Sequence, residues 1–345
     1  MKVIPLLVAT AAVLSSSLGF SQQPESAGPY KIINTVKVGG EGGFDYVYAD
    51  AAARKLYIPR SGPSGRIMVF DLDTLKSVGE IANVSAHGAA VDSKSKHGFG
   101  SSKPVAMWDS KSLASIKTIE VQGGPDGILE DAFDGRVYVL SHSQPNATVI
   151  DAKDGSIVGT LDLGGAPEQA VSDGNGHIYV DIEDKASIAV VDAKALKVTT
   201  HYDLAGKGGT CAGLAIDIKH NILFAACRNP QMMVILDASD GKILETLPIG
   251  SGTDGAVFNP KTQEAFSSQG DGTLTIIKEN SPTSFVVEQT LKTLPRAKTL
   301  TLDSKTNHIV LITAEFTQPP PTVPGERPAR GQMVPDTFSI LVVGK

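Results

Sequence analysis

The amino-acid sequence predicts an all-β fold, a seven-bladed β-propeller whose blades are four-stranded antiparallel sheets. Three observations lead to this prediction. A unit of about 42 residues recurs seven times, each unit contains short runs typical of strands, and the last unit lacks one strand that a run near the N-terminus can supply. A closed ring of such units leaves only short, protected sheet edges.

The repeat is marked by an Asp or Asn that ends the first strand of each unit. Successive markers are 42, 39, 42, 44, 42 and 44 residues apart. The markers are Asp50, Asp92, Asp131, Asp173, Asp217, Asn259 and Asp303. A five-residue run follows each marker, such as LYIPR from Leu56 and VYVLS from Val137. Strands of this length between Gly, Pro, Asp and Asn turns predict blades that begin near residues 44, 86, 125, 167, 211, 253 and 296.

The missing strand of the seventh blade is found at the other end of the sequence. The last strand-like run is FSILVV, residues 338–343, and no outer strand follows it. Residues 30–38, YKIINTVKV, match the outer-strand pattern and precede the first inner strand. We expect this N-terminal strand to complete the last blade and close the ring. A single domain covering residues 22–345 follows from that arrangement.

The first 21 residues have the pattern of a signal peptide. Lys2 is followed by a twelve-residue apolar run at 3–14, which is too short to span a bilayer as a helix, and Gly19 and Ser21 fit a cleavage site before Gln22. No other run reaches 18 apolar residues. We therefore expect a mature protein without a membrane span, located in the periplasm or secreted.

Taken together, the strand runs resemble the YVTN repeat of bacterial seven-bladed propellers, the YncE-like group of the WD40-like superfamily. The units read as an LYV-like run, a loop, a VxVID-like run such as ATVID before Ala152, and an outer strand, and the resemblance covers residues 30–345. Trp-Asp repeat propellers match less well, because only Trp108-Asp109 carries that dipeptide. The resemblance implies the fold and leaves the activity open.

The composition narrows the choice of partners. The formal net charge of −6 gives no electrostatic reason to bind nucleic acid or anionic lipid, which attract an excess of Lys and Arg. We expect instead a protein, glycan or small-molecule ligand, bound by a monomer. No Walker A, G-x-S-x-G, H-E-x-x-H or C-x-x-C-H motif is present in the sequence.

One repeat position predicts a polar site at the mouth of the central channel. It lies five residues before each strand-ending marker, and it reads Asp45, His87, Asp126, Glu168, Ala212, Asp254 and Lys298. If these positions converge, the carboxylates Asp45, Asp126, Glu168 and Asp254 are candidate ligands for a divalent cation, calcium or magnesium, the only cofactor that we consider. The alternative is that the acids cap neighbouring strands and bind water. Among the seven histidines, only His87 occupies this position.

Loops and arginines near the same mouth give weaker predictions. Arg60, Arg228 and Arg296 are candidates for anion contacts on this side. The loop at 317–337 is about 20 residues long and rich in proline. It is either a lid over the channel or a surface loop.

The two cysteines are predicted to lie opposite each other in one hairpin of the fifth blade. Cys211 falls on the inner strand and Cys227 on the second strand. Export favours a disulfide between them, and the alternative is a pair of buried thiols.

Two functions from different classes follow from these observations. The first is a non-enzymatic binding or interaction protein that uses the pore face. The alternative is a metal-dependent lactone or ester hydrolase, in which a cation in the channel activates water and His87 shuttles protons.

Overall fold

The computed structural model describes residues 27–318 and 331–345. The predicted signal peptide at 1–21, with its cleavage before Gln22, and residues 319–330 of the predicted lid lie outside the described residues. In the described part of the chain, no helix is long and apolar enough to cross a membrane.

Seven four-stranded antiparallel sheets form the blades of a β-propeller, which confirms the predicted fold class. In blades 1 to 4 the strands run from the channel outward as β2 Tyr48–Asp50, β3 Lys55–Arg60, β4 Arg66–Asp71 and β5 Ser77–Ala82; β6 Ala89–Asp92, β7 His97–Gly100, β8 Val105–Asp109 and β9 Ser115–Ile119; β10 Pro125–Asp131, β11 Arg136–Ser141, β12 Ala147–Asp151 and β13 Ile157–Leu161; β14 Pro167–Ser172, β15 His177–Ile182, β16 Ser187–Asp192 and β17 Lys197–Asp203.

The remaining blades follow the same order, with one strand of the last blade taken from the N-terminal part of the chain. These strands are β18 Cys211–Asp217, β19 Ile222–Arg228, β20 Gln231–Asp237 and β21 Ile243–Pro248; β22 Thr253–Asn259, β23 Glu264–Gln269, β24 Thr273–Ser281 and β25 Ser284–Lys292; β26 Leu300–Asp303, β27 His308–Thr313, β28 Ser339–Gly344 and β1 Lys31–Lys37. A short 3₁₀ turn, Glu183–Lys185, joins β15 to β16.

The predicted closure of the ring is confirmed. β1 pairs antiparallel with β28, from Lys31 opposite Gly344 to Lys37 opposite Ser339. The outermost strand of blade 7 therefore comes from the part of the chain that precedes blade 1, and this pairing ties the two ends of the ring together.

Neighbouring blades are held together by apolar faces. Between blades 1 and 7, Leu56 and Ile58 of β3 pack in one buried cluster with Val310 and Ile312 of β27 and Ile340 of β28. Full burial of an aliphatic side chain of this size contributes about 1.5–3 kcal/mol. The packed blades form a frame whose inner strands line a central channel.

The strand-ending aspartates have a turn-forming role that explains their regular spacing. Asp50 Oδ1 accepts a hydrogen bond from Ala53 N at 2.8 Å, and Asp217 Oδ1 accepts one from Lys219 N at 3.0 Å. Aspartate favours tight turns because its side chain can bind the backbone a few residues ahead. These turns lie at one end of the inner strands, so the predicted pore-mouth residues enter the channel at the other end.

Candidate functional site

The inner strands bring the predicted residues of the repeat position to one end of the channel, which we call the pore mouth. The polar members of the set are Asp45, His87, Asp126, Glu168, Asp254 and Lys298. Ala212, the seventh position, is buried in β18 and adds no polar group.

Local sequence explains why the acids of blades 3 and 4 lie close together. Asp126 and Glu168 each follow a proline that begins the inner strand, a position where the missing N–H costs no ladder hydrogen bond. Gly127 lies against the next blade, and a Cβ on it would be 2.9 Å from the carbonyl oxygen of Glu168. Glycine is therefore needed for this close approach.

One side of the mouth is a run of alternating acids and imidazoles, which we call the histidine arc and which contains Asp45, His87, Asp126, His142 and Glu168. His87 Nδ1 is 3.3 Å from Asp45 Oδ2 and 3.4 Å from Asp126 Oδ1. His142 Nε2 is 3.4 Å from Asp126 Oδ2 and 3.6 Å from Glu168 Oε1. Asp126 thus stands between two imidazoles and faces each with a different oxygen.

The other side of the mouth, which we call the basic arc, contains Glu183, Arg228, Asp254 and Lys298. Arg228 and Lys298 are its two cations. Arg228 Nη1 is 2.7 Å from Glu183 Oε1, and its other terminal nitrogen pairs with Asp254. Lys298 also pairs with Asp254, and its Nζ is 3.2 Å from Asp45 Oδ1. Asp254 is therefore neutralised by two cations and lies apart from the histidine arc.

The two arcs join into a closed ring. Lys298 links the basic arc to Asp45, and at the other junction Glu183 lies close enough to Glu168 to raise its pKa. Within residues 27–318, nine ionisable side chains form this circuit, and every blade supplies at least one of them.

Burial and neighbouring charges shift the pKa values of the histidine arc in different directions. Burial would raise the pKa of Asp45, but the hydrogen bond with His87 and the nearby Lys298 outweigh it and lower that pKa. The same hydrogen bond raises the pKa of His87. Burial and then the charge of Asp45 raise the pKa of Asp126. Burial raises the pKa of Glu168 to about 8, with Glu183 and Asp126 adding to the effect and Arg228 opposing it.

A buried carboxyl lies next to the histidine arc. Asp181 of β15 is fully buried, and neither of its oxygens has a hydrogen-bond partner. Burial and the nearby Glu168 raise its pKa well above the ordinary value, although Arg228 lowers it. The mouth is thus richer in carboxyl groups than the repeat position alone indicates.

A cavity between the inner strands adjoins the mouth. Its volume is about 210 Å³, and it is lined by inner-strand residues including Tyr46, Glu130 and Glu168. The Tyr46 hydroxyl donates to Glu168 Oε2 at 3.4 Å. Gln169 crosses toward blades 5 and 6, where its Oε1 accepts hydrogen bonds from Leu214 N at 3.1 Å and Ala256 N at 3.0 Å. The ring therefore adjoins a small cavity with a mixed polar and apolar lining.

Three members of the ring lie outside the first repeat position, the one five residues before each strand-ending marker. His142, Glu183 and Arg228 come from a second repeat position, the residue that directly follows the five-residue second-strand run. That position reads Ser61, Lys103, His142, Glu183, Arg228, Gly270 and Ala314. Aligning it shows four consecutive ionisable residues in blades 2 to 5, of which the last three join the ring. His142 therefore reaches the mouth although it lies outside the first repeat position.

Of the three arginines considered for this side, only Arg228 joins the ring. Arg60 is buried, donates to the carbonyl oxygen of Gly42 at 2.8 Å and stacks on Phe338. Arg296 stacks on Phe316. These two guanidinium groups serve packing on blades 1 and 7.

Cys211 and Cys227 form a disulfide between β18 and β19, the two innermost strands of blade 5. The two half-cystines are buried. This covalent link lies directly before Arg228 in the sequence, so it holds the strand end that carries the guanidinium group of the basic arc.

A second group of carboxylates and histidine lies at the opposite end of the blades, and we call it the His220 cluster. His220 Nδ1 is 2.7 Å from Asp217 Oδ2 and 2.6 Å from Glu279 Oε1. Asp217 ends the inner strand of blade 5, whereas Glu279 belongs to β24 of blade 6. The cluster thus joins two neighbouring blades.

Comparison with known proteins supports the fold. No family model matches the chain, and no curated protein matches it either. A solved structure titled "Structure of U3-55K" is similar, with a TM-score of 0.69 at 11% sequence identity, over 92% of this chain and 99% of that one. At this identity the likeness shows the architecture alone, so the function must be argued from the site.

Proposed function

We propose that this protein is an exported binding protein that holds its ligand at the pore mouth. The observation that carries the proposal is the closed ring of nine ionisable side chains, to which all seven blades contribute. A propeller supports a binding or interaction scaffold, and rigid blades suit the placement of loop and strand-end residues around one opening.

The charge of the ring indicates the kind of ligand. Its acids are Asp45, Asp126, Glu168, Glu183 and Asp254, and its permanent cations are Arg228 and Lys298. Even with Glu168, whose pKa is about 8, protonated and with His87 charged, the four remaining carboxylates outnumber the three cations. Such a mouth attracts cations and ligands that carry several hydrogen-bond donors. A basic protein segment, an amino sugar or a small polyamine fits this description.

Family and location are parts of the same proposal. The seven repeats support membership of the YVTN, YncE-like propellers, and the sequence pattern at 1–21 supports export. The Cys211–Cys227 disulfide agrees with an oxidising compartment such as the periplasm. We further propose that residues 22–345 act as one monomeric domain.

The alternative function, a metal-dependent lactone or ester hydrolase, is not favoured. It requires a substrate pocket and a positioned nucleophile in addition to a cation. The fold supports a binding scaffold and does not favour hydrolysis. Hydrolysis of a chromogenic ester and of a lactone is therefore measured only as a control.

A ligand panel tests the binding proposal. Spermidine, glucosamine oligomers and lysine-rich peptides are titrated calorimetrically into protein kept in chelator. We expect at least one of these to bind, and to lose about tenfold or more in affinity with Asp126→Asn and with Glu183→Gln, because each change removes one attractive charge from the mouth.

The matched control is Asp154→Asn, the same change on an exposed turn of blade 3. It should leave every affinity unchanged. A ligand that binds the mouth variants as tightly as the parent would contradict the proposal, as would a panel with no binder.

A further inference from the structure

The histidine arc has nitrogen to oxygen contacts that are longer than strong hydrogen bonds between charged groups. Its four nitrogen to oxygen distances are 3.3, 3.4, 3.4 and 3.6 Å. Strong hydrogen bonds between charged groups are shorter, about 2.7–2.9 Å. Two ligand atoms bound to one ion at about 2.1 Å and a tetrahedral angle are about 3.4 Å apart. The arc therefore has the separations that metal ligands have.

The ligand atoms fall into two groups of three that share one residue. Asp45, His87 and Asp126 form the first group, and Asp126, His142 and Glu168 form the second. Asp126 faces His87 with Oδ1 and His142 with Oδ2. A carboxylate that offers one oxygen to each of two groups has the arrangement of a bridging ligand in a two-metal site, where the ions lie about 3.5–4 Å apart.

Carboxyl oxygens without a hydrogen-bond partner lie at the arc and also at Asp217 and Glu279 of the His220 cluster, so spacing and access must distinguish the two groups. Asp126 Oδ1 is buried and receives no hydrogen bond. Asp181, beside Glu168, is 0% exposed and has two oxygens without a hydrogen-bond partner. Buried polar groups in native proteins are nearly always paired with protein, water or an ion, so each exception calls for an explanation.

We propose that the histidine arc binds two divalent transition-metal ions bridged by Asp126. Asp45 and His87 complete the ligands of one ion, and His142 and Glu168 complete those of the other. This inference rests on the proposed function, because it treats the pore mouth as the place where the ligand binds.

The donor set determines which metals are expected. Calcium and magnesium take oxygen ligands, whereas imidazole suits zinc, copper, nickel and iron. The all-carboxylate set predicted from the sequence contained Asp254, which is held instead by Arg228 and Lys298. The donor set in the structure has two imidazoles in place of Asp254. The expected ion is therefore zinc or a similar metal, and not calcium or magnesium.

The arc also leaves room for a further ligand on each ion. Three protein ligands per ion leave a coordination position open, as in zinc sites that bind water or substrate. The side chains of His87 and His142 are half-exposed at the mouth. Water or a hydroxyl oxygen of a bound amino sugar, one of the ligands proposed above, would fill these positions.

Metal titration with defined variants tests this proposal. Full-length protein is stripped with chelator, dialysed and titrated with Zn²⁺ alone, and bound zinc is counted by elemental analysis after gel filtration. We expect two ions per chain. His87→Ala and His142→Ala should each retain one. Asp126→Asn should weaken both by more than about 100-fold, because loss of an outer-shell partner already costs 10–100-fold.

Control variants separate the arc from other histidines. His177→Gln removes an exposed histidine that is 2.8 Å from Asp173, and His220→Gln alters the second cluster. Both should keep two ions. Circular dichroism establishes that each variant is folded, and cobalt spectra of the parent, His87→Ala and His142→Ala provide a second count.

Several results would overturn the proposal. These are a parent that binds one ion or none, a parent that prefers calcium to zinc, or a loss of zinc in the His177 or His220 variant. The ligand panel is read in chelator, so a failure of metal binding would leave its result intact, and a failure of the panel would leave the metal count intact.

Discussion

The histidine arc and the His220 cluster are built from the same residue types and differ in spacing and access. In the arc, nitrogen to oxygen distances are 3.3–3.6 Å and both imidazoles are 45% exposed. In the His220 cluster the distances are 2.6 and 2.7 Å, the imidazole is 20% exposed, and Asp217 and Glu279 are almost fully buried.

The residue types of a cluster therefore do not by themselves distinguish a binding site from a structural ion pair. At His220 the short contacts leave no gap for an ion, and the ring nitrogen Nδ1 forms a hydrogen bond with Glu279 Oε1 at 2.6 Å. At the mouth the contacts are long, solvent reaches the rings and Asp126 is shared. We therefore assign the His220 cluster to stability and the histidine arc to binding.

The largest expected effect is on stability at the His220 cluster. His220→Ala leaves Asp217 and Glu279 buried without their partner, and breaking a buried pair in this way costs about 3 kcal/mol. Chemical denaturation of the parent and the variant measures this loss. His177→Ala, which breaks an exposed pair with Asp173, is the control and should cost less than about 1 kcal/mol. Equal losses of unfolding free energy in the two variants would contradict the structural role assigned to the His220 cluster.

A third group of acids, Asp92, Glu130 and Asp131, contains no imidazole and can be compared with the two histidine clusters. Glu130 lies at the far end of β10, where burial and the carboxylates of Asp92 and Asp131 raise its pKa from 4.5 to about 7, with Lys94 opposing. The folded protein then holds a proton that the unfolded chain releases above about pH 4.5. Stability should fall as the pH rises from 4.5 to 7, and the penalty should be complete above pH 7.

Glu130→Gln removes this penalty. The variant should match the parent near pH 4.5 and exceed it by up to about 2 kcal/mol at pH 8, after allowance for partial exposure. Denaturant midpoints across this pH range measure the difference. Glu120→Gln, on an exposed residue, should give a flat difference. A flat difference for Glu130→Gln as well would show that its burial carries no cost.

The smallest stability effect is expected at the mouth itself. His87→Ala and His142→Ala remove half-exposed rings with long contacts, so each should change the free energy of unfolding of metal-free protein by about 0.5 kcal/mol or less. The same denaturation experiment in chelator measures this. A loss as large as that of His220→Ala would indicate that the arc is structural.

The fold is predictable from the sequence because each blade is specified by strand and turn patterns within its own repeat. The strand-ending aspartates keep a spacing near 42 residues since each forms the same turn, and residues 30–38 follow the outer-strand pattern they adopt as β1. The pore-mouth position is predictable for the same reason. A residue five positions before each marker enters the channel at the same height in every blade.

Contacts between different repeat positions are harder to predict. His142 and Arg228 reach the mouth from second-strand ends, whose alignment depends on the loop that follows. His220 is partnered by Glu279 from the next blade, and nothing in its own unit indicates that contact. Arg60 lies one residue before Ser61, the blade 1 equivalent of Arg228, and the carbonyl groups near Gly42 hold it inside.

Crystals grown in zinc and measured at the zinc absorption edge give the most direct test of the central claim. We expect two anomalous peaks at the pore mouth, on either side of Asp126, and none at His220. A single peak, a peak between Asp217 and Glu279, or an arc with no peak would contradict it.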